Sequence, residues 1–181
     1  MKIKALIASV LCESVMLCSC NPAKADTVAA RASKYLGDVD YSSTVSALVY
    51  EQIQGEEDGG QGIVYRVVSD VYGLTTQTDI AVCLYFYDYM ATGEVVNVTA
   101  GVEDLAQALS DRVLFVAVDG IAESELGSRY GVEAYPEFVL LAPGQPDAKF
   151  EGMRYESWNI NDVAAWLEAN GYAPDYSKLE G

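Results

Sequence analysis

The 181-residue sequence predicts an α/β domain whose central mixed sheet, of about four strands, is flanked by helices and preceded by a helical extension. Three observations predict it. Two continuously apolar runs rich in strand formers, "IAVCLYFY" at 80–87 and "VLFVAVDG" at 113–120, have the composition of strands buried on both faces. A segment of helical spacing stands between them, and a strand-helix-strand connection makes the pair parallel. A third apolar run at 138–142 is joined to a more exposed strand at 148–152, with Ala148 and Phe150 on one face, by "PGQPD", turn chemistry that makes this last pair an antiparallel hairpin.

The chain opens with a targeting segment. Lys2 and Lys4 precede an apolar run, 5–18, that is interrupted by Glu13 and is shorter than the roughly 20 residues a transmembrane helix needs. Two cleavage readings are open. "LCSC" at 17–20 resembles the bacterial lipobox, which makes 1–19 a signal peptide and Cys20 a lipidated N-terminus. "AKA" at 23–25 is an A-x-A site that would release the protein after Ala25. The first is preferred, so the expected location is a membrane-anchored lipoprotein of the bacterial cell envelope, or the periplasm or medium if cleavage follows Ala25.

Residues 20–78 are expected to form the helical extension. Val28, Ala32, Tyr35 and Leu36, then Val45, Leu48, Val49 and Ile53, then Ile63, Val64, Val67, Val68 and Val71 each fall near the 3.6-residue period, with "GEEDGGQG" at 55–62 as a breaker. The main domain is expected over 79–171. Between its first two strands, Val102, Leu105, Ala106 and Leu109 mark a helix, and 122–131 is a short helix stopped by glycine. A last helix starts near Asn159 or Asn161, carries Val163, Trp166 and Leu167 on one stripe, and ends at Gly171. Residues 172–181 read as a loosely packed tail.

Composition excludes several functions. The formal charge of −16 and the lack of any Lys/Arg cluster exclude a nucleic-acid partner, whose affinity would rest on phosphate neutralisation. With no histidine, Ser-His-Asp and Cys-His nucleophilic systems and most transition-metal sites are absent. Glu56, Glu57 and Asp58 lack an EF-hand register and read as a solvated loop, so no metal and no cofactor is expected. Of the four cysteines, Cys12 and Cys18 leave with the signal and Cys20 is lost to lipid in the lipobox reading, which leaves Cys83 alone inside a strand. If Cys20 is retained unmodified, a Cys20–Cys83 bridge exists only on paper, since a partner for a strand-interior thiol is hard to place.

The segment "YGVEAYP", with Tyr130, Gly131, Val132, Tyr135 and Pro136, ends the short helix and enters the third strand. In this position it resembles the Tyr-Gly-Val-x-x-(apolar)-Pro segment of the thioredoxin-like superfamily, and "VAVDG" at 116–120 is similar to that family's preceding strand. The resemblance covers about 79–171. It implies a thioredoxin-like fold and a cis bond before Pro136, whose flanking backbone in that family faces the active-site loop and pairs with extended peptides. It also implies that the family's Cys-x-x-Cys falls at about Ala91 and Glu94 in "DYMATGE", where neither residue is cysteine. No cysteine lies anywhere from 84 to 181, and thiol–disulfide exchange needs a thiolate and a resolving thiol.

The resulting expectation is a redox-inactive thioredoxin-like domain that binds a protein or extended peptide through Tyr89, Ala91, Glu94, Tyr135 and Pro136. Tyr85, Tyr87, Tyr89 and Tyr135 are expected to cluster there, as a binding surface or as core. Two alternatives stand beside it. One is a thiol-disulfide oxidoreductase or thiol sensor working through Cys83 alone. The other is a purely structural module whose N-terminal segment covers the groove or forms a dimer face; the sequence does not give the oligomeric state.

Overall fold

The computed structural model describes residues 27–53, 60–76, 79–90, 94–154 and 157–179. The signal segment, Cys20 and the Glu56–Asp58 carboxylates therefore lie outside the described residues.

The chain begins with a five-residue helix, α1 (Val28–Ala32), whose first turn is capped by the Thr27 hydroxyl accepting from the Ala30 N–H at 3.2 Å. A 3-10 turn over Ser33–Tyr35 follows and leads directly into strand β1 (Leu36–Val39). Next come β2 (Val45–Gln52), β3 (Gln61–Val68) and a short helix α2 (Val71–Thr76).

The expected second and third N-terminal helices are therefore strands. The reason lies in burial on both faces. Val45, Ala47 and Val49 of β2 enter one core layer while Leu48 enters the other, and in β3 Val64 and Val68 oppose Ile63 and Tyr65 in the same way. Apolar side chains on both faces erase the polar half of a period-2 alternation, and the remaining positions happen to satisfy a 3.6-residue period. The β-branched content, which lowers helix propensity, then decides the outcome. The end of the glycine-rich breaker, Gln61 and Gly62, already belongs to β3 of an antiparallel hairpin, in which the Ile53 N–H donates to the Gly60 carbonyl at 2.9 Å just beyond the Gln52 and Gln61 pair.

The remaining elements follow the expected order. They are β4 (Ala81–Tyr87), α3 (Glu94–Ala108), β5 (Val113–Asp119), α4 (Ser124–Arg129), β6 (Glu137–Leu141), β7 (Ala148–Lys149) and α5 (Ile160–Ala169). The fourth expected strand stops early, because the chain turns into a 3-10 helix over Glu151–Arg154 that brings Phe150 into the core. The strands among the described residues form one seven-stranded sheet in the order β1-β3-β2-β5-β4-β6-β7, wider than the four strands expected because the N-terminal segment adds three. β4 and β5 are parallel, as a crossover through α3 requires, whereas β2 joins β5 antiparallel with Val45 opposite Val118.

Each face of this sheet is covered. On one side α1, the Tyr35 turn, α2 and α4 pack on Val82, Leu84, Phe86, Val116 and Val118. On the other, Val102 and Leu105 of α3, Leu109 just past its end, and Val163 and Leu167 of α5 pack on Cys83, Tyr85, Phe115, Phe138 and Leu140. Helix α5 carries a capping box, in which Asn159 accepts from Asn161 at 2.8 Å and the Asn159 N–H donates to Asp162 at 2.8 Å. The tail is not loose over its described length. Arg112 donates to the Ala173 carbonyl at 3.0 Å, Tyr176 donates to Glu168 at 2.7 Å, and Tyr172 and Leu179 pack against the second core layer. No helix among the described residues is long and apolar enough to cross a membrane.

Candidate functional site

The C-terminal ends of β4 and β5 lie side by side, and the loop entering β6 closes against them. The register pairs Tyr87 with Asp119 between β4 and β5, and Phe86 with Glu137 between β4 and β6. Just past the sheet, the Gly120 N–H donates to the Tyr87 carbonyl at 2.8 Å. The Tyr135 hydroxyl donates to the Gly120 carbonyl, also at 2.8 Å. The contact is close enough that a Cβ built on Gly120 would collide with the Tyr135 ring, so glycine is the residue this approach permits.

The loop itself follows from its sequence. Helix α4 stops at Gly131, whose φ of +62° suits glycine, and the Val132 N–H returns to the Gly127 carbonyl at 2.9 Å. The chain then reaches Tyr135 and Pro136 through a cis peptide bond, the geometry the family resemblance implies. Pro136 is buried and Tyr135 is half-buried, packed on the layer that holds Phe86 and Val118.

That placement divides the expected tyrosine cluster. Tyr85 and Tyr87 point to the opposite layer, where their rings stack at 5.6 Å, and Tyr85 also stacks on Phe138 at 5.1 Å. The Tyr85 and Thr99 hydroxyls lie 3.1 Å apart. Burial raises the Tyr85 pKa above the ordinary phenol value, and the same cause, with smaller contributions from Asp119 and Tyr89, raises that of Tyr87. Tyr135 is separated from this pair by the sheet, so the even-odd rule that groups Tyr85 and Tyr87 along β4, which ends before Tyr89, does not extend to a residue on another strand's approach.

Of the residues expected to bind, Tyr89 is 75% exposed. Ala91 lies outside the described residues, and Glu94 is the first residue of α3, with its side chain outside them. The structure adds three residues to the same end of the sheet. Met90 is 77% exposed and Ile121 58% exposed, both just past adjacent strand ends, and Asp119 ties the second loop by accepting from the N–H groups of Ile121 at 3.0 Å and Ala122 at 3.2 Å. Ile121 had a legible signal, an isolated large apolar residue in the polar turn "DGIAESE". Met90 had only its place beside Tyr89.

The chemical groups available here are phenols, carboxylates, a thioether and backbone amides. Among the described residues no group of three or more Cys, Asp or Glu is placed to hold a metal ion. Cys83 is in the middle of β4, paired between Phe115 and Leu140 and 0% exposed. Its burial pushes the thiol pKa far above the ordinary range, the opposite of what a nucleophilic cysteine needs.

A parallel pair joined through α3, an antiparallel pair beside it, helices on both faces and a cis-proline loop at the strand ends define a thioredoxin-like fold. Residues 77–165 match the family model described as Thioredoxin, and together with the fold this supports the thioredoxin-like superfamily. The chain is similar to chloroplastic thioredoxin Y of Oryza sativa subsp. japonica, 27% identical over 66 residues, or 36% of this chain and 39% of that protein. It thus spans about two fifths of the length of that curated relative. Among solved structures it is similar to mitochondrial thioredoxin 3 from Saccharomyces cerevisiae, at 25% identity and a TM-score of 0.42 over 55% of this chain and 84% of the other. The first thioredoxin domain of mouse protein disulfide-isomerase A4 aligns at 22% identity and a TM-score of 0.46, over 57% and 71% of the two chains.

Proposed function

We propose that this chain is an exported thioredoxin-like domain, lipid-anchored at Cys20 in the cell envelope, that performs no thiol–disulfide exchange and binds a protein or extended peptide at the strand ends around Tyr89, Ala91, Glu94, Tyr135 and Pro136. The observation that carries the reading is the exposure of Tyr89, Met90 and Ile121 together at the end of the sheet, where the family resemblance sets a thiol pair and this sequence has none. Large apolar side chains grouped at one exposed place favour a contact surface. The loop of Tyr135 and Pro136 enters β6 at the same end of the sheet, held there by the Tyr135 hydroxyl on the Gly120 carbonyl.

The test has three measurements on the exported protein. Reduction of insulin disulfides is expected at background rate, and a rate abolished by Cys83→Ser would overturn the redox-inactive reading. Capture of envelope proteins is expected to weaken with Tyr89→Ala. The mass of the N-terminus is expected to show a diacylglyceryl-modified Cys20, and a chain starting at Asp26 would replace the anchor with release.

The match to thioredoxins favours a second reading, thiol chemistry through Cys83 alone. Against it stands the complete burial of that thiol between β5 and β6. Alkylation of the native protein separates the two, since a working thiol reacts in the folded state and a core thiol waits for unfolding.

A further inference from the structure

We infer that the partner segment bound at the strand ends is cationic, an extended peptide whose lysine or arginine side chains flank an apolar anchor. The inference rests on the binding face proposed above and names the chemistry of its occupant.

The face has two components. Tyr89, Met90 and Ile121 form its apolar part. Around them stand Asp88, Asp119 and Glu123, each held by hydrogen bonds. Asp88 accepts from the Met90 N–H at 2.8 Å, Asp119 accepts from Ile121 and Ala122, and Glu123 accepts from the Thr44 hydroxyl at 2.6 Å. These bonds fix the carboxylates in place without neutralising them. Among the described residues none of the three is in an ion pair.

The surrounding sequence sharpens the point. Between Arg66 and Arg112, and again from 113 to 128, there is no lysine or arginine, so both loops and both strands that carry them contain no cation. The cations nearest in the chain are engaged elsewhere. Arg66 is bound by Glu51 at 2.7 Å, Arg112 reaches Asp111 and Ala173, and the Arg129 guanidinium lies 5.2 Å from the Tyr72 ring centre. Fixed carboxylates beside exposed apolar side chains attract a partner with positive charge flanking an apolar group, and repel an acidic one. A like-charged partner would face both this local field and the chain's net charge of −16.

The experiment uses three acetylated, amidated decapeptides in which leucine alternates with lysine, glutamine or glutamate, and reads binding by fluorescence anisotropy at low and high salt. The lysine peptide is expected to bind at least several-fold more tightly than the glutamine peptide and to weaken with salt, with the glutamate peptide weakest of all. Because any cation is drawn to an acidic protein, location is tested separately. Asp88→Asn with Asp119→Asn keeps the accepting Oδ1 atoms and removes two charges at the face, whereas Asp111→Asn with Asp147→Asn removes two at the other end of the sheet. The first pair is expected to cost several-fold in lysine-peptide affinity and the second little. Equal losses from the two pairs would overturn the inference, as would equal affinity for the lysine and glutamine peptides. In that last case a loss on Ile121→Ser or Met90→Ser keeps the binding face and rejects only its charge preference, whereas no loss on either substitution rejects the face itself.

Discussion

Gly120 joins the end of β4 to the side chain of Tyr135. Its N–H reaches Tyr87, its carbonyl receives Tyr135, and its missing side chain leaves room for the Tyr135 ring. Gly120→Ala is expected to destabilise the fold by roughly 1–3 kcal/mol through overpacking, read by urea denaturation. The same substitution in a Tyr135→Ala background should cost much less, since the clash is gone, and strict additivity of the two changes would show that the contact is not the cause. At Cys83 the residue-scale consequence is pH dependence. A thiol whose folded pKa is raised contributes stability that is fully present below its unfolded pKa, about 8.5, and that is lost as pH rises toward the folded value. The thermal midpoint is therefore expected to fall from about pH 8.5 upward, and Cys83→Ala should flatten the first part of that fall. Tyr65 and Tyr85, whose pKa values burial also raises, extend the loss to higher pH and remain in the variant. Parallel curves for the two proteins would exclude the thiol as its source.

Among the elements, α5 shows the most direct path from sequence to structure. Asn159 and Asp162 form its capping box, Gly171 has the positive φ that ends it, and its apolar stripe enters the second core layer, where Trp166 meets Phe150. Asn159→Ala is expected to cost about 1 kcal/mol, measured as a lowered urea midpoint with an unchanged m-value. The strands β4, β5 and β6 were legible for a different reason, because continuous apolar runs bounded by turns have few other uses. β2 and β3 were not. Their valines serve two core layers at once, and such a run satisfies helical spacing without being helical; only the β-branched content and the glycine-rich connection spoke for a hairpin. The candidate site was legible where it rests on local motif, at Tyr135 and Pro136, and not where it rests on tertiary placement. Nothing in the spacing of Tyr85, Tyr87 and Tyr135 reveals that the sheet runs between them, whereas the structure shows it at once.

For the whole molecule, the N-terminal strands are part of the sheet rather than a cover laid over a finished domain. β2 occupies the edge of β5, and Val45, Ala47 and Val49 contribute to one of the two core layers. Removing everything up to Gly73 should therefore leave an open strand edge and half-covered apolar faces. The expected result by light scattering is aggregation, and a soluble monomer with native circular dichroism would show that the part from β4 onward stands by itself. The antiparallel seam between β2 and β5 also orders events during synthesis. Val45 waits for Val118, so the β2–β3 hairpin leaves the ribosome well before its partner strand exists. Such a pairing raises the contact order and slows folding, during which the hairpin offers an unpaired edge to any neighbouring chain. The passage from ribosome to folded protein is thus most exposed to misassembly before β5 is made, and completing that strand is what closes the hazard.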